Sequence, residues 1–210
     1  MFIDPDNTST RDLYRFMIGS VVPRPIAWVS TRNKAGQLNL APFSFFNAFS
    51  VDPPVLGIGI GSKPGIKDGK PVVVFKDTLV NIQETEEFVV NIVNQSLVEK
   101  MNQTSADYDY EVSEFETCGL TAKPSKIVRP PRVEESPISF ECRLHQIVEL
   151  GNSNLVLGRV VNIHARDEIL VDGRVDINKL APVGRLGGIS YCSVNKNSIF
   201  QLERPEKPTQ

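Results

Sequence analysis

Lys76 and Thr78 are two residues suited to phosphate binding, and they flank the start of a predicted helix in the stretch KDTLVNIQET. Apolar residues at helical spacing predict this helix over residues 77–85, with Asp77 as its N-cap. Unpaired N–H groups at a helix start, together with an ammonium group and a hydroxyl group, form a seat for phosphate. The residues by themselves leave a second interpretation open, a capped helix beside a solvated lysine.

The stretch NLAPFSFFNAFSVDPP, residues 39–54, combines four phenylalanines within seven residues with interleaved asparagines and serines. A predicted strand before it, over 26–32, places the hydroxyls of Ser30 and Thr31 beside a guanidinium group. The aromatic stretch has two interpretations: ordinary core, or a wall that holds a flat aromatic ligand with polar groups. Neighbouring side chains of a strand point to opposite faces, so some of these phenylalanines belong to the core in either case.

Patterns typical of several enzyme classes are absent from the sequence. The glycine-rich stretch GIGIGSKPG has Pro64 where a dinucleotide-binding loop needs its third glycine, and no helical pattern follows it. No serine or cysteine lies in a nucleophile elbow, and no residue cluster has metal-ligand spacing. His145 and His164 are the only histidines. An isolated strand histidine is most often structural, and His164, at a predicted strand end, is the one candidate to face a site.

Charge and composition exclude further classes. The 210 residues include 23 basic and 25 acidic side chains, and a net charge of −2 gives no general affinity for nucleic acid or anionic membranes. No apolar run approaches the roughly 20 residues that span a bilayer. The first residues, MFIDPDNTST, are too polar for a secretory signal. Three scattered cysteines predict free thiols. We therefore expect a cytoplasmic protein without metal.

Short segments rich in β-branched and aromatic residues, each ending at Gly, Pro, Asn or Asp, predict a mainly β architecture. Hairpin turns are expected at 151–154 and at Asp172-Gly173, because Gly, Asn and Asp tolerate positive φ. Helices are few, over 77–85 and 94–106. Long strands with few helices fit a closed or partly closed β-barrel. The predicted strands are 26–32, 43–50, 55–60, 87–93, 138–150 and 154–165.

Several of these stretches, taken in order, resemble the flavin-reductase-like family of FMN-binding split-barrel proteins. The motifs are PRPIAWVST, NLAPFSFFNAFSVDPP, KDTLVNI with EFVVNIV, PPRVEESPISFECRL, LVLGRVVNIHARDEIL and PVGRLGGISY, which together cover about residues 15–195. The resemblance implies a Greek-key split β-barrel with a few short peripheral helices. It also implies one domain over 1–210, with a short N-terminal extension and a frayed C-terminal tail, and a homodimer with FMN near the subunit interface.

The resemblance further implies which residues hold the cofactor. The backbone of 39–46 would lie along the flavin ring, with Ser44 reaching the phosphate. Lys76 and Thr78 would hold the phosphate, in agreement with the predicted helix start. Arg185 would approach the phosphate or the partner's site. The full implied set of FMN contacts is Trp28, Ser30, Thr31, Asn39, Ala41, Pro42, Phe43, Ser44, Phe45, Lys76, Thr78, Asn81 and Arg185.

One departure from the family pattern bears on the activity. Reductase components typically carry Gly-Asp-His in the hairpin before the G-x-V strand, whereas here Asn152 and Ser153 follow Gly151. The sequence is thereby closer to the flavoredoxin-like branch, in which FMN stays bound and relays electrons. We expect an FMN-dependent oxidoreductase that uses NADH or NADPH to reduce a flavin or another small acceptor, with His164 as the candidate residue near the nicotinamide or acceptor. The alternatives are a non-enzymatic FMN electron carrier reduced by a protein partner, and a barrel that binds another aromatic ligand.

Overall fold

The computed structural model describes residues 2–67 and 69–205, so the predicted C-terminal tail lies outside the described residues from 206 onward. The helices are α1 (Thr10–Ser20), α2 (Asp77–Thr85), α3 (Val98–Gln103), α4 (Glu114–Thr117) and α5 (Ile177–Leu180). The strands are β1 (Ala27–Arg32), β2 (Leu38–Phe43), β3 (Phe46–Val51), β4 (Pro54–Gly61), β5 (Lys63–Lys67), β6 (Lys70–Val74), β7 (Glu87–Ile92), β8 (Ala122–Lys123), β9 (Arg132–Val133), β10 (Ile138–Leu150), β11 (Ser153–Ala165), β12 (Leu170–Val171), β13 (Arg174–Val175), β14 (Val183–Arg185) and β15 (Tyr191–Ser193).

Seven strands form one antiparallel sheet in the order β2-β1-β7-β10-β11-β4-β3. The strands β2 and β3 stand at opposite edges of this sheet, yet β2 ends at Phe43 and β3 begins at Phe46. Three Cα–Cα steps of about 3.8 Å reach at most about 11 Å, so the two edges must approach each other at this link. The backbone N–H of Gly59 in β4 donates to the carbonyl of Phe45 at 2.6 Å, which extends the β3–β4 pairing into the link. The sheet therefore curls into a split barrel, and the predicted fold class is confirmed.

The inner face of the sheet packs around α2. Strand alternation sends Ala27 and Val29 of β1 into this inner core, whereas Trp28 belongs to the cluster on the other face. Leu79 and Ile82 of α2 are fully buried against the inner face. The inner core consists of Ala27, Val29, Phe43, Leu56, Ile58, Ile60, Leu79, Ile82, Phe88, Val90, Cys142 and Val156.

The outer face of β1, β2 and β7 carries a second core beneath α3, α4 and β9. Trp28 is fully buried there, and its Nε1–H donates to Oγ1 of Thr104 at 2.9 Å. The outer core consists of Ile26, Trp28, Leu40, Val93, Leu97, Met101, Phe115, Cys118, Leu120, Val133 and Val183. Both faces of β1, β2 and β7 are therefore covered, which makes β1 and the edge strand β2 a rigid support for whatever lies at that edge.

The predicted strand over 43–50 is confirmed over residues 46–50 only, because a turn at Ser44 and Phe45 separates β3 from Phe43, the last residue of β2. The apolar pattern runs across this turn without a Gly or Pro to mark it, and closure of the barrel imposes the break. The other five predicted strands are confirmed to within one residue at each end. The Asp172-Gly173 hairpin is also confirmed, since both residues have positive φ, 49° and 73°.

The helices follow the sequence expectations in part. The predicted bounds of α2 are confirmed, but its N-cap is Lys76 rather than Asp77, and no side chain caps it. The predicted helix over 94–106 is shorter, a 3-10 turn followed by α3. The helix α1 was not predicted, and none of its residues is buried. No helix within residues 2–67 and 69–205 has the length and apolar character to cross a bilayer.

A side chain at Gly158 of β11 would collide with the inner core. An added Cβ would overlap the buried ring of Phe88 and lie 3.2 Å from Cβ of Cys142. Gly158→Ala is therefore expected to lower the free energy of unfolding by about 1–3 kcal/mol in urea denaturation, because overpacking strains a closed core. Gly61→Ala in β4 is the matched control, since an added Cβ there meets nothing within 4 Å. Equal losses in the two variants would contradict the packing argument.

Candidate functional site

A cleft opens where β2 meets the start of α2. It consists of two adjoining cavities, about 180 and 350 Å³ in volume, which share Pro42, Lys76 and Ser105 as walls. Eight of the thirteen FMN contacts expected from the sequence line these cavities, so distant segments of the chain meet here. The eight are Asn39, Ala41, Pro42, Phe43, Ser44, Lys76, Thr78 and Arg185.

The smaller cavity contains the start of α2. The ammonium group of Lys76 lies 5.4 Å from the ring centroid of Phe43, within the range of a cation–π contact. Nδ2 of Asn39 donates to Oγ1 of Thr78 at 3.0 Å and to Oγ1 of Thr31 at 3.3 Å, which joins β2 to both the helix and β1. An ammonium, an amide and a hydroxyl group thus surround the first turn of α2, where the N–H groups of Leu79 and Val80 donate to the carbonyl of Lys76 at 2.9 and 3.1 Å.

Thr31 and Asn81 are buried beneath Asn39 and do not line the cleft. Nδ2 of Asn81 donates to Oγ1 of Thr31 at 2.9 Å. Oδ1 of Asn81 is buried and has no hydrogen-bond partner among the described residues. The two residues therefore support the cleft wall through Asn39 and do not form its surface.

Trp28 and Ser30 are also fully buried, on the outer face of β1. Oγ of Ser30 donates to the carbonyl of Pro131 at 2.5 Å. Trp28 donates to Oγ1 of Thr104, and Thr104 itself lines the smaller cavity. The structure does not bring Trp28 or Ser30 to the cleft wall. Both were expected as contacts from the family resemblance of their motif, and alternation along β1 places their side chains on its outer face instead.

Arg24 is a cleft residue that sequence reasoning missed. It is 7% exposed, and its guanidinium donates to the carbonyls of Ile18 and Val21, each at 2.8 Å, and of Leu186 at 3.0 Å. Its Nε also donates to Oγ of Ser44 at 3.4 Å. One buried side chain therefore ties α1, the segment after β14 and the β2–β3 link together. The signal in the sequence is an arginine between two prolines, in PRP, which fixes the backbone on both sides.

Arg185 also lines the larger cavity. Its guanidinium stacks 4.4 Å from the ring centroid of Tyr191 and also donates to that residue's hydroxyl oxygen. A second donor of the guanidinium reaches the carbonyl of Gly188 at 2.5 Å. The Tyr191 hydroxyl donates to Oδ1 of Asn102 at 3.1 Å. These contacts hold a second positive charge, besides that of Lys76, at the wall of the cavity.

Glu114 is a second residue that sequence reasoning missed. It lines the smaller cavity at 7% exposure, and its Oε2 accepts from the backbone N–H of Leu40 at 2.8 Å. Burial raises the pKa of the Glu114 carboxyl group, although this hydrogen bond opposes the rise. Leu40 belongs to an edge strand, so its outward N–H group would otherwise lack a partner. Two residues further along β2, Pro42 has no N–H group that could be left unpaired.

Phe45 lies outside the two cavities, in a third, apolar one of about 260 Å³. Met17, Val21 and Pro23 share this cavity, and the guanidinium carbon of Arg24 lies 5.9 Å from the Phe45 ring centroid. Ser44 and Arg24 line both this cavity and the larger cavity of the cleft. Phe45 is therefore placed at the margin of the cleft, with 42% of its surface exposed.

The structure places His164 away from the cleft. His164 lines a separate cavity beside Arg132 and Arg166, and its Nε2 lies 2.5 Å from Oε1 of Glu141. Glu141 is fully buried and also accepts from backbone N–H groups at 126–128. Burial alone would raise the pKa of Glu141, but these hydrogen bonds outweigh it and lower the pKa to about 2. His164 thus contacts an anchored carboxylate, and His164 is not among the residues that line the cleft.

Glu141→Gln is expected to lower the free energy of unfolding at pH 7 by about 3 kcal/mol, the equivalent of a pKa lowered from 4.5 to about 2. Because the folded-state pKa is the lower one, the stabilisation is complete above about pH 4.5 and disappears as the pH falls towards 2. Urea denaturation at several pH values measures the difference between wild type and variant, which should shrink across this window. Glu149→Gln, at an exposed position of the same strand, is the control. A difference that stays constant from pH 7 to pH 3 would contradict the assignment.

Other reactive groups do not gather at the cleft. Within residues 2–67 and 69–205, no three His, Cys, Asp or Glu side chains are arranged to hold a metal ion. Cys118, Cys142 and Cys192 are free thiols. Burial raises the pKa of the Cys142 thiol, so it stays protonated in the inner core. The cleft lining therefore offers cations, hydroxyls and amides beside three carboxyl groups, those of Asp77, Asp107 and the buried Glu114.

Comparison with known proteins relates this arrangement to a family. Residues 18–180 match the model of the flavin reductase like domain. An uncharacterized protein of Halalkalibacterium halodurans, BH2278, is 41% identical over 211 residues, which cover 98% of this chain and 97% of that protein.

Solved structures extend the comparison. Nitrilotriacetate monooxygenase component B from Bacillus cereus has a TM-score of 0.88 and 34% identity, with 96% of this chain and 98% of that chain covered. The 2-nitrobenzoate 2-nitroreductase NbaA of Pseudomonas fluorescens has a TM-score of 0.86 and 33% identity, with 100% and 99% covered. The flavoredoxin of Desulfovibrio vulgaris shares the fold at 20% identity, with a TM-score of 0.73 and 97% of each chain covered.

Proposed function

Because this chain belongs to the flavin reductase-like family, we propose that it binds FMN in the cleft and acts as an FMN-dependent oxidoreductase. In this proposal NADH or NADPH donates electrons, and a flavin or another small molecule accepts them. The observation that carries the proposal is the meeting in one cleft of residues 39–44, 76–78 and 185, three segments that the family motifs mark as cofactor contacts.

The start of α2 suits the phosphate end of FMN. The partial positive charge of a helix N-terminus favours an anion, and Lys76 adds a full charge beside the Thr78 hydroxyl. Ser44 and Arg185 add a hydroxyl group and a guanidinium group from the adjoining cavity. The residues present therefore fit a phosphate-bearing cofactor.

The free edge of β2 suits the ring of FMN. As an edge strand, β2 pairs only with β1 in the large sheet, so its other side offers backbone carbonyls to ring atoms that donate hydrogen bonds; the N–H of Leu40 is taken by Glu114, and Pro42 has none. Asn39 is oriented by Thr31 and Thr78, and Ser44 is oriented by Arg24. FMN, when bound, supplies the redox chemistry by accepting a hydride at its N5 atom. The protein residues then have to bind, orient and shield the ring.

The buried residues of the expected set have a supporting role in this proposal. Thr31 and Asn81 hold Asn39, whereas Trp28 and Ser30 hold the segments around Thr104 and Pro131. Rigid support of this kind reduces the entropy that the site loses when a ligand binds.

The assembly is also part of the proposal. We infer one domain over residues 1–210 and a cytoplasmic homodimer with FMN near the interface. The support for the dimer is a set of exposed apolar side chains along the β2–β3 link and β3, where Phe45, Phe49 and Val51 are 42%, 60% and 92% exposed. Exposed apolar surface of this kind marks interaction sites.

The comparisons support two kinds of electron acceptor to test. The similarity to a 2-nitrobenzoate 2-nitroreductase supports assaying nitroaromatic carboxylates beside free flavins. The similarity to a monooxygenase component supports assaying the chain with an oxygenase component present. In both cases the cleft on this chain would hold the cofactor that passes the electrons.

A second candidate function is a non-enzymatic FMN electron carrier reduced by a protein partner. The observation in its favour is that α1 borders the cleft with Tyr14, Phe16 and Met17 exposed to 56%, 59% and 54%. An exposed apolar surface beside a redox cofactor suits protein docking. Asn152 and Ser153 also stand where reductase components carry Asp and His.

Replacing Lys76 by Met and Ser44 by Ala together is expected to weaken FMN binding by about 2–4 kcal/mol, because two polar contacts to the phosphate are lost and their effects are not fully additive. Quenching of flavin fluorescence on binding measures the affinity. Lys179→Met, at an exposed position of α5, is the charge-matched control. Unchanged affinity in the double variant would remove the start of α2 as the phosphate seat.

Anaerobic stopped-flow mixing of the FMN-loaded protein with NADH or NADPH separates the two functions. Rapid loss of the oxidised-flavin absorbance with either nucleotide is expected for an oxidoreductase, since the hydride passes directly to the bound flavin. Free FMN at the same concentration is the control for uncatalysed reduction. Bleaching by dithionite alone would favour the electron carrier instead.

A further inference from the structure

A cavity of about 300 Å³ lies between the segment before β10 and the end of β11, apart from the cleft. Two arginines, a histidine and a serine line it: Arg132, Arg166, His164 and Ser136. The motifs PPRVEESP and IHARDEIL, which supply these residues, have no role in the proposed flavin site. The two guanidinium groups on one concave surface suggest an anionic ligand, whereas the Ser136 hydroxyl already donates to the carbonyl of Ile92 at 2.8 Å.

Arg132 provides the strongest indication. Its Nε is buried and has no hydrogen-bond partner among the described residues. A buried donor without an acceptor is costly, and folded proteins supply partners for nearly all such groups. The oxygen atoms of an oxyanion would satisfy this donor, because a guanidinium presents its N–H groups as a planar fork.

Arg166 is held at the rim of the same cavity. Its Nη2 donates to the carbonyl of Glu134 at 2.6 Å, and its backbone N–H donates to the carbonyl of Pro137 at 3.0 Å. These two bonds join the end of β11 to the segment before β10. The cavity is thus built from two segments that are fixed to each other, and it does not depend on a ligand for its shape.

His164 lies beside the two arginines, and its Nε2 is held 2.5 Å from Oε1 of the buried Glu141. Glu134 also lines the cavity; its Oε2 is buried without a hydrogen-bond partner among the described residues, and Nζ of Lys123 lies 3.4 Å from it. At the rim, Nη1 of Arg166 lies 3.2 Å from Oε1 of Glu168. Of the two arginines, Arg132 is therefore the one without a carboxylate partner within residues 2–67 and 69–205.

The cavity and the flavin cleft are separated by the width of the sheet. One row of paired residues runs Pro42, Trp28, Asn91, Ser139 and His164 across five strands. Four interstrand steps of about 4.8 Å place His164 about 19 Å from Pro42 along the sheet. A ligand in this cavity is therefore a second ligand, not an extension of FMN.

We propose that this cavity binds the phosphate group of a small molecule, at a site distinct from the flavin cleft. The two guanidinium groups that line the cavity can together bind the oxygens of one phosphate, whereas a planar carboxylate is satisfied by one guanidinium fork. The inference does not depend on flavin binding, since none of its residues lines the cleft.

The two histidines of the chain provide a local readout. Inorganic phosphate is titrated into the full-length protein at constant ionic strength, with chloride as the balancing anion, and the imidazole Hε1 resonances are followed by NMR. A saturable shift of His164, with His145 unmoved, is the expected result. Phosphate bound at the start of α2 would leave His164 unshifted, so the two sites are distinguished. The variant His145→Gln assigns the resonances.

Arg132→Gln is expected to raise the dissociation constant of phosphate, obtained from the saturable shift of His164, about tenfold or more, because a charge-assisted hydrogen bond is lost. Arg159→Gln is the matched control, an exposed arginine on β11 outside the cavity, and it should bind as wild type does. If Arg132→Gln does not fold, Arg166→Gln at the exposed rim provides the same test. A His164 shift that is linear and equal with chloride, or one weakened equally by Arg159→Gln, would overturn the proposal.

Discussion

The two-residue link between β2 and β3 is the constraint on which the remaining structure depends. These strands occupy opposite edges of a seven-stranded sheet, and only Ser44 and Phe45 join them. The sheet has no freedom to stay open, and α2 is the element that its closed inner face encloses. The cleft lies where the β2–β3 link meets the start of α2, so the site is formed only when the barrel closes.

Buried polar side chains position the segments that the sheet leaves outside. Asn91 is fully buried in β7; its Nδ2 donates to the carbonyl of Trp28, while its Oδ1 accepts from Val133 N–H and from the Ser139 hydroxyl. Glu141 performs the same task for the segment at 126–128. Because an unpaired polar group in a core is costly, each such residue selects one position for its segment.

The sequence predicts those features that arise from local pattern. The alternation over 138–150 and 153–165, and the Asp172-Gly173 turn, depend on neighbouring residues and were located correctly. The break between β2 and β3 at Ser44 depends on how the two edges of the whole sheet meet, and no local signal in the sequence marks it. In the same way, the role of Arg24 depends on carbonyls contributed by α1 and by Leu186, which is 162 positions away.

The site residues divide along the same line. Lys76 and Thr78 were located from a local helix start, and they do line the cleft. Trp28 and Ser30 share a motif with cleft residues, but the alternation of side chains along β1 places them on the outer face of the sheet. The family motifs therefore identify the segments that build the site, and only the fold distinguishes the residues at its surface from those beneath it.

The attachment of α1 has a thermodynamic consequence. This helix buries none of its residues completely, and Arg24 holds its last turn through two carbonyl groups. Detaching it would expose little apolar surface, so its release would carry a small heat-capacity change and little dependence on denaturant. Such an opening is a subglobal event that leaves both cores intact. The wall of the cleft formed by Tyr14 and Ile18 thus belongs to the least cooperative part of the molecule.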